Sequence, residues 1–323
     1  MKKIIIMSLA CCMVAMAQAK ILRVSNVEGS TAPYTNFADA YAAAEAGDTL
    51  MFDGSDTSYG NISIGTIELK DKPIVLLGSG YDLKVNGITE VNNSDVVFGN
   101  ISVWVNGTII KGIKFNYLTL LNDNVVVNRC KGKNITWGDG YIDGHPRTVT
   151  GAIIHQNSLE DISGYTTGFT LTNAQITNNI FWMDHYGTPS YHIRDISHSV
   201  IHNNTFGGPD TYDAYIFNYV TSCSIKNNSA VDNGFYKAGE NQNEVADNMI
   251  AQDADRFGDV RLDTAVMEVE KENTANGYGA FAGSDPYVIS GVPEGPVIES
   301  VVMPESVEKG KTLNVIVKVK IQK

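Results

Sequence analysis

A chain of 323 residues with 43% hydrophobic and 19% charged residues, 30 glycines and 9 prolines has the make-up of a folded protein, not a disordered or collagen-like one. Thirty-six acidic side chains against 24 basic ones give a net charge of −12, which removes nucleic acid and anionic membrane surfaces from the expected partners.

The chain opens on a targeting pattern. Lys2 and Lys3 form a basic start, Ile4 to Met16 an apolar run, and Ala17-Gln18-Ala19 the small-x-small signature of a signal peptidase site. Residues 1–19 therefore read as a signal peptide, and the mature chain begins at Lys20, secreted or at the cell surface. Acylation at Cys11 or Cys12 fits less well, because Ser8 stands three before the first and Cys11 directly before the second. Without Lys2 and Lys3 the 24 basic residues become 22 against 36 acidic, a net charge of −14. No later stretch approaches the roughly 18 apolar residues of a membrane span, so none is expected.

Residues 36–48 predict a short helix with Asn36 as N-cap and Gly47 as its stop, followed by a strand at Thr49-Leu50-Met51-Phe52. A second strand starts within Asp71-Lys72-Pro73-Ile74-Val75-Leu76-Leu77-Gly78. The helix is expected to cover the open end of a stack of such strands.

Through the middle of the chain runs a repeat anchored on Asn128, Asn157, Asn179, Asn204, Asn228 and Asn248. Three residues before each anchor stands Val125, Ile154, Ile176, Ile201, Ile225 or Val245, and two after stands Cys130, Leu159, Phe181, Phe206, Ala230 or Ile250. The position two before is mixed: Val126, His155, Thr177, His202, Lys226 and Ala246. One column faces a core and its neighbour faces solvent. Anchor spacings of 29, 22, 25, 24 and 20 residues are too irregular for helical hairpin repeats and suit coils with one loop free to grow. The asparagines are expected to stack at a turn, their amides bonding from coil to coil and their backbones left-handed. That role is architectural. After Asp285 the chain becomes linker-like at 290–296, and Val297 to Met303 and Leu313 to Ile321 read as two strands about a turn at 308–311. Cys130 and Cys223 lack metal-ligand spacing and read as isolated buried thiols.

A helix ending in Gly-Asp-Thr, a strand, Lys-Pro-Ile with a Leu-Gly-Ser-Gly sequel and then Asn-marked coils resemble the pectin-lyase-like superfamily, and its secreted Bacteroidetes members in particular. The resemblance covers roughly residues 30 to 285. It implies an all-β fold, a right-handed parallel β-helix (solenoid) with an N-terminal capping helix and a C-terminal β-hairpin extension. The expected division is signal peptide 1–19, solenoid 20–289 and hairpin or capping tail 290–323. The family's polygalacturonate hydrolases carry Asp-Asp and Gly-His-Gly motifs, which this chain lacks. No cofactor is expected; calcium, which related lyases hold in an aspartate cluster, is the one alternative, and Asp139 to Gly144 is the nearest approach to such a loop.

Four of the six histidines, His185, His192, His198 and His202, fall within 185–202 beside aromatic and charged side chains. Aromatic faces stack on sugar rings while Asp, His and Arg fix hydroxyl and carboxylate groups. Trp182, Asp184, His185, Tyr186, Tyr191, His192 and Arg194 are the substrate-contact candidates, joined by Trp137 and Tyr141 from a second long loop. His202, Arg194 and Lys226 are the catalytic candidates, with His155, Thr177, His202 and Lys226 forming one outward row. The plainer reading is that Met183, Tyr186 and Tyr191 pack a loop onto the coils. No metal is expected at His198 and His202, which strand geometry sets about 13 Å apart. The functional expectation is a monomer that contacts polysaccharide or surface glycan without turnover. A polysaccharide lyase or glycoside hydrolase with a divergent site is the first alternative, and a structural spacer or adhesin stalk the second.

Overall fold

The computed structural model describes residues 19–66, 72–86, 94–138, 148–165, 168–182, 191–207, 215–230, 242–250, 266–268, 270–302, 310, 312 and 315–322. Most of their strands belong to two long parallel sheets between which the chain alternates. One sheet stacks, in chain order, Ile21–Val24, Thr49–Phe52, Val75–Leu77, Ile109–Lys111, Val126–Asn128, Ile153–His155, Gln175–Thr177, Val200–His202, Ser224–Lys226 and Glu244–Ala246. The other is built on Ile62–Ile64, Asn100–Val103, Lys114–Leu120, Lys131–Trp137, Ser158–Gly164, Ile180–Trp182, Thr205–Gly207, Ser229–Ala230 and Met249–Ile250. Tyr191–Ser197 and Tyr215–Thr221 extend it sideways, with Thr148–Thr150 and Thr170–Thr172. The all-β, parallel, solenoid-like expectation holds.

Register explains the repeat. Leu50, Leu76, Ile110, Val127, Ile154, Ile176, Ile201 and Ile225 pair rung to rung and are fully buried, and from Ile110 onward β-branched shape and strand pleat agree along the column. Each such aliphatic contributes about 2 kcal/mol of burial.

At the turn between the sheets the asparagine ladder is present, with one correction. The residue level with Asn157 in the preceding coil is Cys130, whose N–H donates to Asn157 Oδ1 at 2.9 Å, and not Asn128, which pairs with His155. From Asn157 onward the backbone N–H and the Nδ2 of each asparagine donate to Oδ1 of the next, through Asn179, Asn204 and Asn228 to Asn248, at 2.8–3.0 Å. The other Nδ2 hydrogen meets a carbonyl of the first sheet. The error slipped by two residues, the period of the pleat, so the inside-outside pattern survived it. A second correction concerns backbone: the left-handed residues stand one before the ladder, at Arg129, Gln156, Asn178, Asn203, Asn227 and Asp247.

Those left-handed residues have a use the repeat pattern hid. Residues 270–293 return along the stack as a strap, and the turn side chains hold its backbone. Asn203 Nδ2 donates to Gly277 O, Asn178 Nδ2 to Ala280 O and Ala282 O, Gln156 Nε2 to Pro286 O, and Arg129 Nη1 to Val292 O. Beneath the strap a carboxylate anchors each end of an outward row. Glu270, wholly buried, accepts from Ser229 Oγ at 2.6 Å and Thr205 Oγ1 at 3.3 Å. Asp82 accepts from Lys131 Nζ at 2.5 Å and Lys114 Nζ at 2.8 Å. Tyr81, Ile180, Trp182, Val266, Ala280 and Tyr287 form a second apolar cluster between them.

The N-terminal helix runs Phe37–Ala43, shorter than expected, with Asn36 Oδ1 accepting the Asp39 N–H at 2.9 Å as its cap. Phe37 and Ala40 join the main core beside the first strand. At the far end Gly295–Val302 pairs antiparallel with Ile316–Gln322, the expected hairpin. Cys130 and Cys223 are both free and buried. Among the described residues no helix is long and apolar enough to cross a membrane.

Candidate functional site

The expected outward row on the first sheet exists: His155, Thr177, His202 and Lys226 are level with one another. Its members are already engaged. His155 Nδ1 lies 2.7 Å from Thr177 Oγ1 and its Nε2 2.9 Å from Asp285 of the strap. His202 Nε2 meets Ser224 Oγ at 3.0 Å, and Lys226 pairs with Glu244. Burial, with Lys226 alongside, holds the His202 imidazole below its usual pKa.

The two tryptophan candidates are structural. Trp137 is fully buried in the main core, its Nε1 donating to Phe169 O at 3.3 Å. Trp182 lies in the cluster under the strap, its Nε1 donating to Ser158 Oγ at 3.1 Å. Neither ring offers a face to a sugar. His192 is wedged against the Phe181 and Phe206 rings, and burial lowers its pKa to about 4. It is a neutral core residue. Tyr191, half-buried, pairs in register with Tyr215. Asp184, His185, Tyr186 and Tyr141 lie outside the described residues, as do Asp139 and Asp143. The two loops that carry them leave the sheet at different points, one after Trp182 and the other after Gly138. Among the described residues no three His, Cys, Asp or Glu gather to hold a metal ion.

Arg194 belongs elsewhere, on the outer face of the second sheet. Along the second half of its long strands, Ser63, Ser102, Thr119, Thr136 and Ser163 stand rung on rung. Because Ile162 pairs with Ile193, Arg194 is level with Ser163, and Asn218 follows it. The hydroxyl row thus passes into a cation and an amide at strand spacings of about 4.8 Å. A parallel row holds Asn100, Tyr117, Asn134 and Asp161. Asn134 Nδ2 donates to Asp161, and Thr136 Oγ1 to Thr119 Oγ1 at 3.2 Å. Tyr117, Tyr165 and Tyr219 are 49%, 57% and 62% exposed, the large aromatic rings most open to solvent among the described residues. Tyr165 carries on the outward alternation Asp161, Ser163, Tyr165, and Tyr219 sits at φ +50, a left-handed residue in mid-strand.

Arg194 is held in place from behind. Its Nη2 donates to Gly164 O at 3.1 Å and its Nε stands 3.0 Å from Asp195 Oδ2. Asp195 is itself left-handed and nearly buried. Burial raises its pKa while Arg194 pulls the other way. This pair fixes one positive group at the end of a polar, aromatic-flanked strip.

The sequence does contain a signal for this face. Asn100-Ile101-Ser102-Val103, Tyr117-Leu118-Thr119-Leu120, Asn134-Ile135-Thr136-Trp137 and Asp161-Ile162-Ser163-Gly164 share one order: polar or Tyr, aliphatic, hydroxyl. The asparagine repeat marks a different part of each coil. Set against family models, characterised proteins and solved structures, the chain matches none.

Proposed function

We propose that the chain is an exported right-handed parallel β-helix that holds a linear polysaccharide on the Tyr117–Tyr165–Tyr219 face without cleaving it. Three exposed tyrosines flanking a straight row of hydroxyls support that reading above all. Stacking faces and aligned hydroxyls suit an extended glycan, which repeats its own hydroxyls along a line. Right-handed winding follows the general preference of parallel crossovers, and the Asn ladder and β-branched column are in keeping with the pectin-lyase-like resemblance. Export rests on the basic start, apolar run and Ala17-Gln18-Ala19 site.

The face carries little net charge of its own, with Asp161 opposing Arg194, and the whole chain is acidic at −12. A neutral glycan is therefore the first partner to try. A lyase or hydrolase is the second reading, favoured by one observation: Arg194 beside a carboxylate, Asp195, whose pKa is raised by burial. The test is co-sedimentation of the chain from Lys20 onward with neutral and acidic polysaccharides, with and without calcium, and chromatography of the products. Binding that weakens about fivefold for each of Tyr117→Ala, Tyr165→Ala and Tyr219→Ala supports the proposal. Shortened glycans that disappear with Arg194→Ala would make the protein an enzyme. Absence of any binding would leave a spacer.

A further inference from the structure

At the foot of the first strand a buried carboxylate receives a backbone N–H. Lys20 N donates to Asp48 Oδ1 at 2.8 Å, while Asp48 Oδ2 accepts the Glu45 N–H at 2.8 Å. Asp48 is nearly buried, 3% exposed, and its two hydrogen bonds come from backbone N–H groups, with Lys20 and Lys72 acting on it through space. Thr49 N donates to Lys20 O at 2.8 Å, so the peptide on either side of the contact is clamped. The two main-chain donors, first Glu45 and then Lys20, hold the Asp48 carboxyl below its usual pKa, keeping it an anion. A buried carboxylate spent on a neutral backbone amide is an uneven match. It becomes an even one if the donor is charged.

We infer that Asp48 is the acceptor for the α-ammonium of Lys20 created by cleavage after Ala19, so that maturation locks the first strand onto the stack. The inference rests on the export reading for the origin of that terminus. Hydrolysis by a signal peptidase consumes one water, leaves a carboxylate on Ala19, and leaves Lys20 with an ammonium in place of an amide N–H. The donor stays where it was and gains a full charge. Other charges face the same place: Glu45, which pairs with Lys20 Nζ at 3.3 Å, and Lys72, which acts on Asp48 from the next turn.

An amine that gains an anionic partner has its folded pKa raised above the unfolded value of about 7.8. Its stabilisation is complete below that value and is lost as pH rises through the folded pKa. The experiment compares Tm from pH 7 to pH 10 for the chain beginning at Lys20 with a free amine, the same chain with that amine acetylated, and Asp48→Asn forms of both. Only the free-amine wild type should lose about 2 °C more than its acetylated counterpart across this range. Alkaline titration elsewhere cancels in the pairing. In parallel, the mass of the exported protein reports where it begins. A start at Lys20 with superimposable free and acetylated profiles overturns the inference alone. A processed start at another residue overturns the inference alone, and an uncleaved chain beginning at Met1 overturns both the inference and the export reading.

Discussion

Two outward rows of the same sheet, carried on the same long strands, have opposite fates. The row nearest the asparagine ladder runs Lys114, Lys131, Ser158, Ile180, Thr205, Ser229, and from Lys131 on it is buried. Asp82, Trp182 and the strap with Glu270 satisfy its polar groups. A few residues along, the row Ser102, Thr119, Thr136, Ser163 has no covering segment among the described residues, and exposed tyrosines flank it. A parallel stack makes rows wherever it goes, and chemistry alone does not say which are for binding. Among the described residues what separates them is the strap, which covers the first and leaves the second half-exposed.

That contrast can be broken from either side. The largest effect is expected in the buried scaffold. Asn204→Leu strips Asn179 of the acceptor for both its backbone N–H and its Nδ2, and should lower stability by about 3 kcal/mol in a denaturant titration. Next is acid sensitivity at His192. Its folded pKa of about 4 lies below the ordinary value of 6.5, so the unfolded chain binds the extra proton between them. Stability should fall by about 2 kcal/mol as pH drops from 6.5 to 4, and His192→Phe should flatten that part of the curve. Glu270→Ala leaves the Ser229 and Thr205 hydroxyls short of a partner. A loss of about 2 kcal/mol, with faster protease nicking within 270–293, is expected. On the open row the order reverses. Tyr165→Ala and Tyr219→Ala should change stability by less than about 0.5 kcal/mol while weakening glycan binding.

The stack itself was legible because burial forces one residue type onto one column: Ile154, Ile176, Ile201 and Ile225 announce the core. The Asn ladder was legible from Asn157 onward for the same reason, and misplaced at Asn128 because a two-residue slip keeps the pleat in phase. The site was less so. Trp137, Trp182 and His192 look like ligand-contact residues by type, but their surroundings come from segments distant in sequence, such as the strap that covers Trp182. The repeat places His202 and Lys226 in one row, as the structure does, but nearness in the chain says nothing of Arg194, which stands on the other sheet. The hydroxyl row was written in four short segments and went unseen because it varies between Ser and Thr and has no single marker residue.

The most direct measurement sets the tyrosine face of the second sheet against the His202 and Lys226 row of the first in one co-sedimentation series, using the polysaccharide that binds the unaltered chain best. Tyr165→Ala/Tyr219→Ala should lose most of the bound fraction, and His202→Ala/Lys226→Ala should keep it. Retention by the tyrosine pair with loss by the His202 and Lys226 pair would move the glycan to the first sheet and contradict the account.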